Sequence, residues 1–398
     1  MTWAKFGKRK EWFTAVFLLA MTIGNVVSAV GLASQLRNGY QNFTIFYAAA
    51  RMVRGGQSRI LYDLPAQYRV QQEFAPNVQV RQAALPYNHP PFEAFLFVPF
   101  TLLSYVPAYL LWSFLNAVLV FASLWLLRRQ FVEIGRLPLV FLALAAIGFP
   151  PVANGIIQGQ DSSLLLFLVV VALTAVASGN DAAAGAALGA GLFKFNFILP
   201  LAFLLAVKRP RLLLGFAPVA ALLGGLSLAM LGWRGCVGYV QFLFHLEKTG
   251  AGGAIIGADM PNLRGILTSL AGPHGAFLMP ITIACSALVI AIALWQMWPS
   301  DSVRFVFALA TATAILVSYH TLSYDLGLLL PVLLLLFAAP ESESRRASQA
   351  DMLLLVALYL APLFESFWPH LNQIGWPMLI LFWFWWKLPR REMLPGTR

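Results

Sequence analysis

Residues 105–129 read YVPAYLLWSFLNAVLVFASLWLLRR. No charge interrupts the run from Tyr105 to Leu127, and it stops on Arg128-Arg129. A helix needs about 20 consecutive apolar residues to cross a bilayer core. A basic pair just past its end holds that end in the cytoplasm. The stretch therefore reads as one crossing of a membrane that the rest of the chain must also inhabit.

The same pattern recurs outward from it. An apolar run from Trp12 to about Leu36 follows the basic stretch Lys5 to Lys10; without a convincing cleavage site, it reads as a retained first span. The 398 residues are 60% hydrophobic and 11% charged, with mean hydropathy +0.74. Soluble domains carry roughly 25% charged residues, so a water-soluble fold could not hide this much apolar surface. The 31 phenylalanines and 12 tryptophans suit lipid-facing helices with interfacial belts. Cys236 and Cys285 are too few for a disulfide framework and lack metal-ligand spacing. A net charge of +11 would also suit nucleic acid, but in such a chain it reads as basic cytoplasmic loops. No nucleic-acid partner is expected.

Five basic clusters set the sidedness: Lys8-Arg9-Lys10, Arg128-Arg129, Lys208-Arg209-Pro210-Arg211, Arg345-Arg346 and Arg390-Arg391. Placing all five in the cytoplasm requires an even number of crossings between neighbours. The expectation is an all-α polytopic membrane protein, one integral membrane domain over 1–398, with about twelve transmembrane helices and both termini cytoplasmic. The spans fall near 12–34, 105–127, 138–152, 162–178, two halves of 182–207, 211–231, 277–298, 303–319, 325–339, 352–366 and 374–387. Extracytoplasmic loops cover about 35–91 and 232–276, and 341–350 is a polar cytoplasmic linker. The short apolar segment 92–104 reads as re-entrant or surface-lying. One uninterrupted span over 182–207 would put Lys208-Arg209-Arg211 outside, so the segment is split at Lys194-Phe195-Asn196.

This topology sends the unusual polar groups to one side. Asn42, Asp63, Tyr87-Asn88-His89-Pro90-Pro91, Gln158-Gly159-Gln160-Asp161, Lys194-Phe195-Asn196, Asn262-Leu263-Arg264, His320 and Tyr324-Asp325 all fall outside. Ionisable groups near a bilayer are costly and usually face a cavity or a partner. Singly, each suits an ordinary loop; together they point to one polar site at the outer surface.

Several of these pieces carry a resemblance. Phe43-Thr44-Ile45-Phe46-Tyr47-Ala48-Ala49-Ala50-Arg51, Leu61-Tyr62-Asp63 and Leu85-Pro86-Tyr87-Asn88-His89-Pro90-Pro91-Phe92-Glu93 are three of them. Gln158-Gly159-Gln160-Asp161, Gly191-Leu192-Phe193-Lys194-Phe195 and Met260-Pro261-Asn262-Leu263-Arg264-Gly265 complete the set. In their order the chain resembles glycosyltransferase family 87, within the C-type (GT-C) superfamily. The resemblance implies a GT-C-like fold with a large first extracytoplasmic loop. It also implies a multi-pass enzyme of the cell membrane, bacterial in type, with its active site on the extracytoplasmic side. The partners implied are a polyprenyl-phosphate sugar donor, a lipid or glycan acceptor and membrane lipids. The reaction is an inverting transfer of a hexose, mannose-like, with no cofactor and no obligatory metal.

Such chemistry needs a base for the acceptor hydroxyl, donors for the leaving phosphate and an apolar groove for the prenyl tail. Family members usually carry Asp-Phe at the start of the first loop helix; here Asn42 precedes Phe43. An amide cannot act as the base, although it can cap a helix or orient a hydroxyl. Asp63 and Asp161 are the substitute bases, with Glu93 and Asp325 behind them, and His320 is a further catalytic candidate. Asp63 ahead of Leu64-Pro65 equally reads as a helix cap, and so does Asp161 ahead of its span. Lys194, Arg264, Asn262, Gln158, Gln160, His89 and Tyr324 are the substrate-binding candidates. Lys194 equally reads as a snorkelling side chain, and His89 as a loop residue fixing the chain at the membrane surface. The competing readings are a transporter or flippase for lipid-linked substrates, which would need repeats and a midplane site, and a lapsed transferase that only binds lipid-linked sugar.

Overall fold

The computed structural model describes residues 8–34, 39, 41–75, 85–249, 257–272, 278–338, 349–362 and 375–380. Among them all regular structure is helical. In order the helices are α1 (Lys8–Leu32), α2 (Phe43–Arg54), α3 (Leu64–Phe74), α4 (Pro91–Phe97), α5 (Tyr105–Gln130) and α6 (Val132–Gly135). Then come α7 (Leu139–Ile147), α8 (Pro150–Ile157), α9 (Ser162–Ala177), α10 (Asp181–Ala190), α11 (Phe195–Lys208) and α12 (Leu213–Thr249). The last are α13 (Leu263–Ala271), α14 (Leu278–Met297), α15 (Val303–Val317), α16 (Leu329–Phe337) and α17 (Gln349–Leu360).

Among the described residues five segments are long and apolar enough to cross a bilayer: Thr14–Leu32, Tyr105–Gln130, Asp181–Lys208, Pro210–Thr249 and Leu278–Met297. The pair α7 and α8, bent by 67°, makes a sixth if taken as one span. These segments do not by themselves establish the twelve crossings expected, some of which lie partly outside the described residues. Apolar segments such as Ser162–Ala177, Val303–Val317 and Ser323–Phe337 fall below that length. The expected spans 352–366 and 374–387, and the clusters Arg345-Arg346 and Arg390-Arg391, lie wholly or partly outside the described residues. The second expected loop is not a loop throughout: α12 continues past a kink at Gly232 to Thr249, and α13 follows.

The chain is apolar on the outside. Phe114, Trp125, Leu214, Leu222, Ile283 and Leu288 are all more than half exposed. In water such a surface would drive aggregation; in lipid it is the solvated face. The inner faces of α5, α9, α11, α15 and α16 build one core that includes Leu124, Leu165, Val169, Leu173, Leu204, Phe307, Ile315 and Leu334.

The segment Asp181–Lys208 doubles back. As a straight helix of 28 residues it would hold its ends about 42 Å apart. Instead Arg209 Nη1 donates to Asp181 Oδ1 at 3.0 Å. The reversal falls at the 3₁₀ turn Gly191–Lys194, where Lys194 leaves helical geometry at φ −112°, ψ 62°. The expected break at Lys194-Phe195-Asn196 is therefore present, with Lys194 at the tip of a helical hairpin. Close helix packing supports it. A Cβ on Gly185 would come within 1.8 Å of the Leu212 carbonyl oxygen, so only glycine lets α10 approach α12 this closely.

Two ends of the bundle can now be told apart. At one end Ser178 Oγ donates to Gln130 Oε1, two residues beyond Arg128, and Arg209 meets Asp181. Lys208 Nζ there donates to the carbonyls of Met297, at 2.8 Å, and Ser300. At the other end α5 holds the 157–160 loop. Asn116 and Gln130 are separated by roughly 20 Å of helix. The basic clusters at 128–129 and 208–211 share one end, and the polar motifs gather at the other.

Candidate functional site

Three side chains on one face of α5 fix the loop that presents Asp161. The Tyr109 hydroxyl donates to the Ile157 carbonyl at 2.6 Å, Trp112 Nε1 to that of Gly159 at 3.0 Å, and Asn116 Nδ2 to that of Gln160 at 2.9 Å. Gly159 turns the loop with φ +61°, and a Cβ there would lie 2.8 Å from the Phe43 Cβ. Glycine answers both demands. The loop also reaches α2: the Asn42 amide donates to Gln158 Oε1 at 3.3 Å, and the Phe43 amide to the Gln158 carbonyl at 3.0 Å.

Asp161 heads α9, yet its side chain makes no cap hydrogen bond. Its carboxylate is fully buried and faces Lys194, Nζ to Oδ1 at 3.0 Å. Lys194 also reaches Asp325 Oδ1 at 2.5 Å and donates to Ser162 Oγ at 3.1 Å. Asp325 is anchored in turn, accepting from Ser162 Oγ at 2.9 Å and from the Leu322 amide at 2.9 Å. The Tyr324 ring lies 5.1 Å from the ammonium. Lys194 is thus buried and paired, not snorkelling.

His89 joins the cluster from the other side. Its Nδ1 lies 2.7 Å from Glu93 Oε2 and 3.4 Å from Asp161 Oδ2. The Tyr62 hydroxyl donates to the His89 carbonyl at 2.8 Å, and the ring stacks on Tyr87 with centroids 5.7 Å apart. The reading of His89 as a loop residue alone is corrected here: it faces the two acids. Burial pushes its pKa down to about 4, with Lys194 adding to the fall and the Asp161 carboxylate opposing it.

These groups border a cavity of about 170 Å³. Asn42, His89, Gln160, Lys194, Asn196, His320, Tyr324 and Asp325 line it. The Asn42 side chain is in hydrogen-bond contact with Tyr324. His320 sits in the 318–322 turn, whose carbonyl at 320 accepts from Asn196 Nδ2 and from Ser318 Oγ. Its Nδ1 has no hydrogen-bond partner. Burial lowers its pKa to about 4; nearby Asp325 opposes the shift, and Lys194 adds to it. The ring is neutral at physiological pH.

Asn262 and Arg264 stand behind the lining. Asn262 caps α13 by accepting from the Gly265 amide at 2.9 Å and donates to the Ser318 carbonyl at 2.7 Å. Arg264 lies over the Tyr319 ring at 4.5 Å, donates to the Tyr319 carbonyl at 3.2 Å and pairs with Glu247. The Tyr319 hydroxyl donates to the same glutamate. Both residues brace the turn that carries His320, rather than lining the cavity as expected for substrate binders. Gln158 likewise works as a strut between α8 and α2. Asp63 is exposed and accepts from the Ala66 amide at 2.7 Å. It caps its helix and is not among the residues that line the cavity, where a base was expected. Asp161, the other expected base, lies beneath the lining, locked to Lys194.

The sequence model of glycosyltransferase family 87 matches residues 87–319, more than half of the chain. The chain belongs to glycosyltransferase family 87. The match takes in His89, Glu93, Asp161, Lys194 and Arg264, while Asn42, His320 and Asp325 lie outside it. No curated protein matches the chain. Membership makes the protein a membrane glycosyltransferase and the polar cavity its candidate active site. Sequence reasoning missed Ser162 and Glu247. The Ser162 hydroxyl opens an apolar run with no spacing of its own, and Glu247 lies near the end of a long helix beside Lys248 like any solvated acid.

Proposed function

We propose that this glycosyltransferase moves a hexose, mannose-like, from a polyprenyl-phosphate sugar to a lipid or glycan acceptor, with inversion, at the extracytoplasmic face of the cell membrane. The observation that carries this reading is the shared cavity. It brings the Lys194 ammonium and the unpartnered His320 Nδ1 to one space, at the end of the bundle opposite the basic clusters.

The chemistry follows from those two groups. The acceptor hydroxyl oxygen attacks the anomeric carbon, and the bond from that carbon to the phosphate oxygen breaks. The electron pair leaves with the polyprenyl phosphate, and the hydroxyl proton passes to His320 Nδ1. A buried ammonium stabilises the developing phosphate charge more than an exposed one, because little water screens it. Asn42, unable to act as base, orients the hydroxyl together with Tyr324. Among the described residues Asp325 is the one carboxylate in the lining, and its oxygens are occupied by Lys194, Ser162 and the Leu322 amide.

Asn42 also supports a second reading: a lapsed transferase that binds lipid-linked sugar. Incubating the purified protein with labelled polyprenyl-phosphate sugars and membrane lipid extract separates the two. Turnover by wild type supports the enzyme; turnover only after Asn42→Asp supports the binder.

A further inference from the structure

His89 precedes α4 and Glu93 follows it by four residues, while Asp161 approaches from the head of α9. Potential ligand atoms from the three lie within 4.8 Å of one another. His89 Nδ1, both Glu93 oxygens and both Asp161 oxygens lack a directed hydrogen bond, although Glu93 is 1% and Asp161 0% exposed. The Lys194 ammonium accounts for one Asp161 oxygen through an ion pair. The remaining contacts are among the three groups themselves, His89 Nδ1 with Glu93 Oε2 and Asp161 Oδ2, which leaves two buried acids sharing one imidazole, a costly arrangement unless something else is bound there.

The charges do not balance either. Glu93, Asp161 and Asp325 set three carboxylates around one ammonium, Lys194, in a buried cluster. An imidazole that serves as a ligand is neutral, so with all three acids ionised the cluster is two positive charges short. The spacing of the atoms suggests what supplies them. A metal with bonds of about 2.0–2.2 Å separates neighbouring ligand atoms by roughly 3.0 Å in an octahedron and roughly 3.4 Å in a tetrahedron. The contacts of His89 Nδ1, at 2.7 Å to Glu93 and 3.4 Å to Asp161, fall around those edges.

We propose that His89, Glu93 and Asp161 form a divalent-cation site beneath the cavity. One imidazole with two carboxylates suits Mn²⁺ or Zn²⁺ better than a purely oxygen-seeking ion. The outer groups are in place: Tyr87 stacks on the His89 ring, Tyr62 holds its backbone and Lys194 orients Asp161. His89 lines the cavity, so an open coordination position would meet a donor phosphate there. Only this last statement rests on the transferase reading.

The test uses the purified full chain, stripped with chelator and titrated with Mn²⁺ alone, without sugar donor. The expected result is one Mn²⁺ per chain, with a ¹⁴N coupling in pulsed electron paramagnetic resonance from the His89 ring. Glu93→Gln weakens binding by at least about tenfold, and His89→Gln removes the nitrogen coupling. Thermal unfolding shows whether each variant is folded. If neither variant folds, the wild-type spectrum decides by its nitrogen coupling. Absence of bound Mn²⁺, or bound Mn²⁺ without nitrogen coupling, overturns the site. So does an infrared band of a protonated buried carboxyl that persists unchanged when Mn²⁺ is added, since protons then balance the charge. Because no donor is present, a failed transferase assay leaves this outcome untouched.

Discussion

The Lys194 ammonium lies 2.5 Å from Asp325 Oδ1, across 131 residues of sequence. The contact ties the tip of the α10–α11 hairpin to the turn that carries His320 and Tyr324. Removing one member of a buried ion pair strands the other charge and costs about 3–5 kcal/mol. Lys194→Met should lower the thermal unfolding midpoint and abolish donor-lipid binding. Adding Asp325→Leu should restore part of the midpoint, since Asp161 stays stranded, without restoring binding. Recovery of binding in the double variant would show that Lys194 does not hold the donor.

Gly159 meets two constraints, a positive φ and the approach of Phe43. Gly159→Ala should destabilise the protein by roughly 1–3 kcal/mol and reduce turnover, because the Gln160-Asp161 backbone must shift. Thermal unfolding in detergent together with donor binding checks this. An unchanged midpoint would contradict the claim that the 157–160 turn is tightly held.

His320 gives a pH dependence. Unfolded, its imidazole takes a proton near pH 6.5; folded, only near pH 4. Between those values the unfolded chain binds more protons, so stability falls as pH drops from about 6.5 toward 4 and is flat for this group above that range. His320→Gln should flatten part of that slope in unfolding midpoints measured between pH 7 and 4.5. A slope unchanged by the substitution would place the titration elsewhere.

Sidedness is testable on described residues. In a background with Cys236 and Cys285 replaced, a membrane-impermeant thiol reagent added outside intact cells should label Arg59→Cys, an exposed position three residues before Tyr62, which holds His89, and spare Ser178→Cys, beside the basic end. The reverse pattern would turn the active site to the cytoplasm.

Much of this site could be read in the sequence, because charge in an apolar chain is conspicuous. Lys194, between two apolar runs, and Gln158-Gly159-Gln160-Asp161, ahead of another, announced themselves by being polar where lipid forbids it. The hairpin break was legible for the same reason: Lys208-Arg209-Arg211 had to share a side with Arg128-Arg129. Roles were less legible than positions. Asp63 and Asp161 have the same sequence signature, an acid heading a helix, but one caps its helix in solvent and the other is buried without capping. That difference depends on His89, Glu93 and Lys194 arriving from other elements. Arg264 read as a substrate-binding residue because its partner Glu247 carried no signal. Helix count was less legible, since helices such as α9 and α15 are apolar but shorter than a full span, and hydropathy alone does not distinguish a protein-buried helix from a lipid-crossing one.

The central claim is transfer within the cavity between Lys194 and His320. Its most direct test is purified protein incubated with a labelled polyprenyl-phosphate hexose and membrane lipid extract, run beside His320→Ala. The account predicts label in a new lipid or glycan product with wild type, and a loss of about a hundredfold or more in the variant with donor binding retained. Label that stays on the donor in both samples, or transfer that is unaffected by His320→Ala, would contradict it.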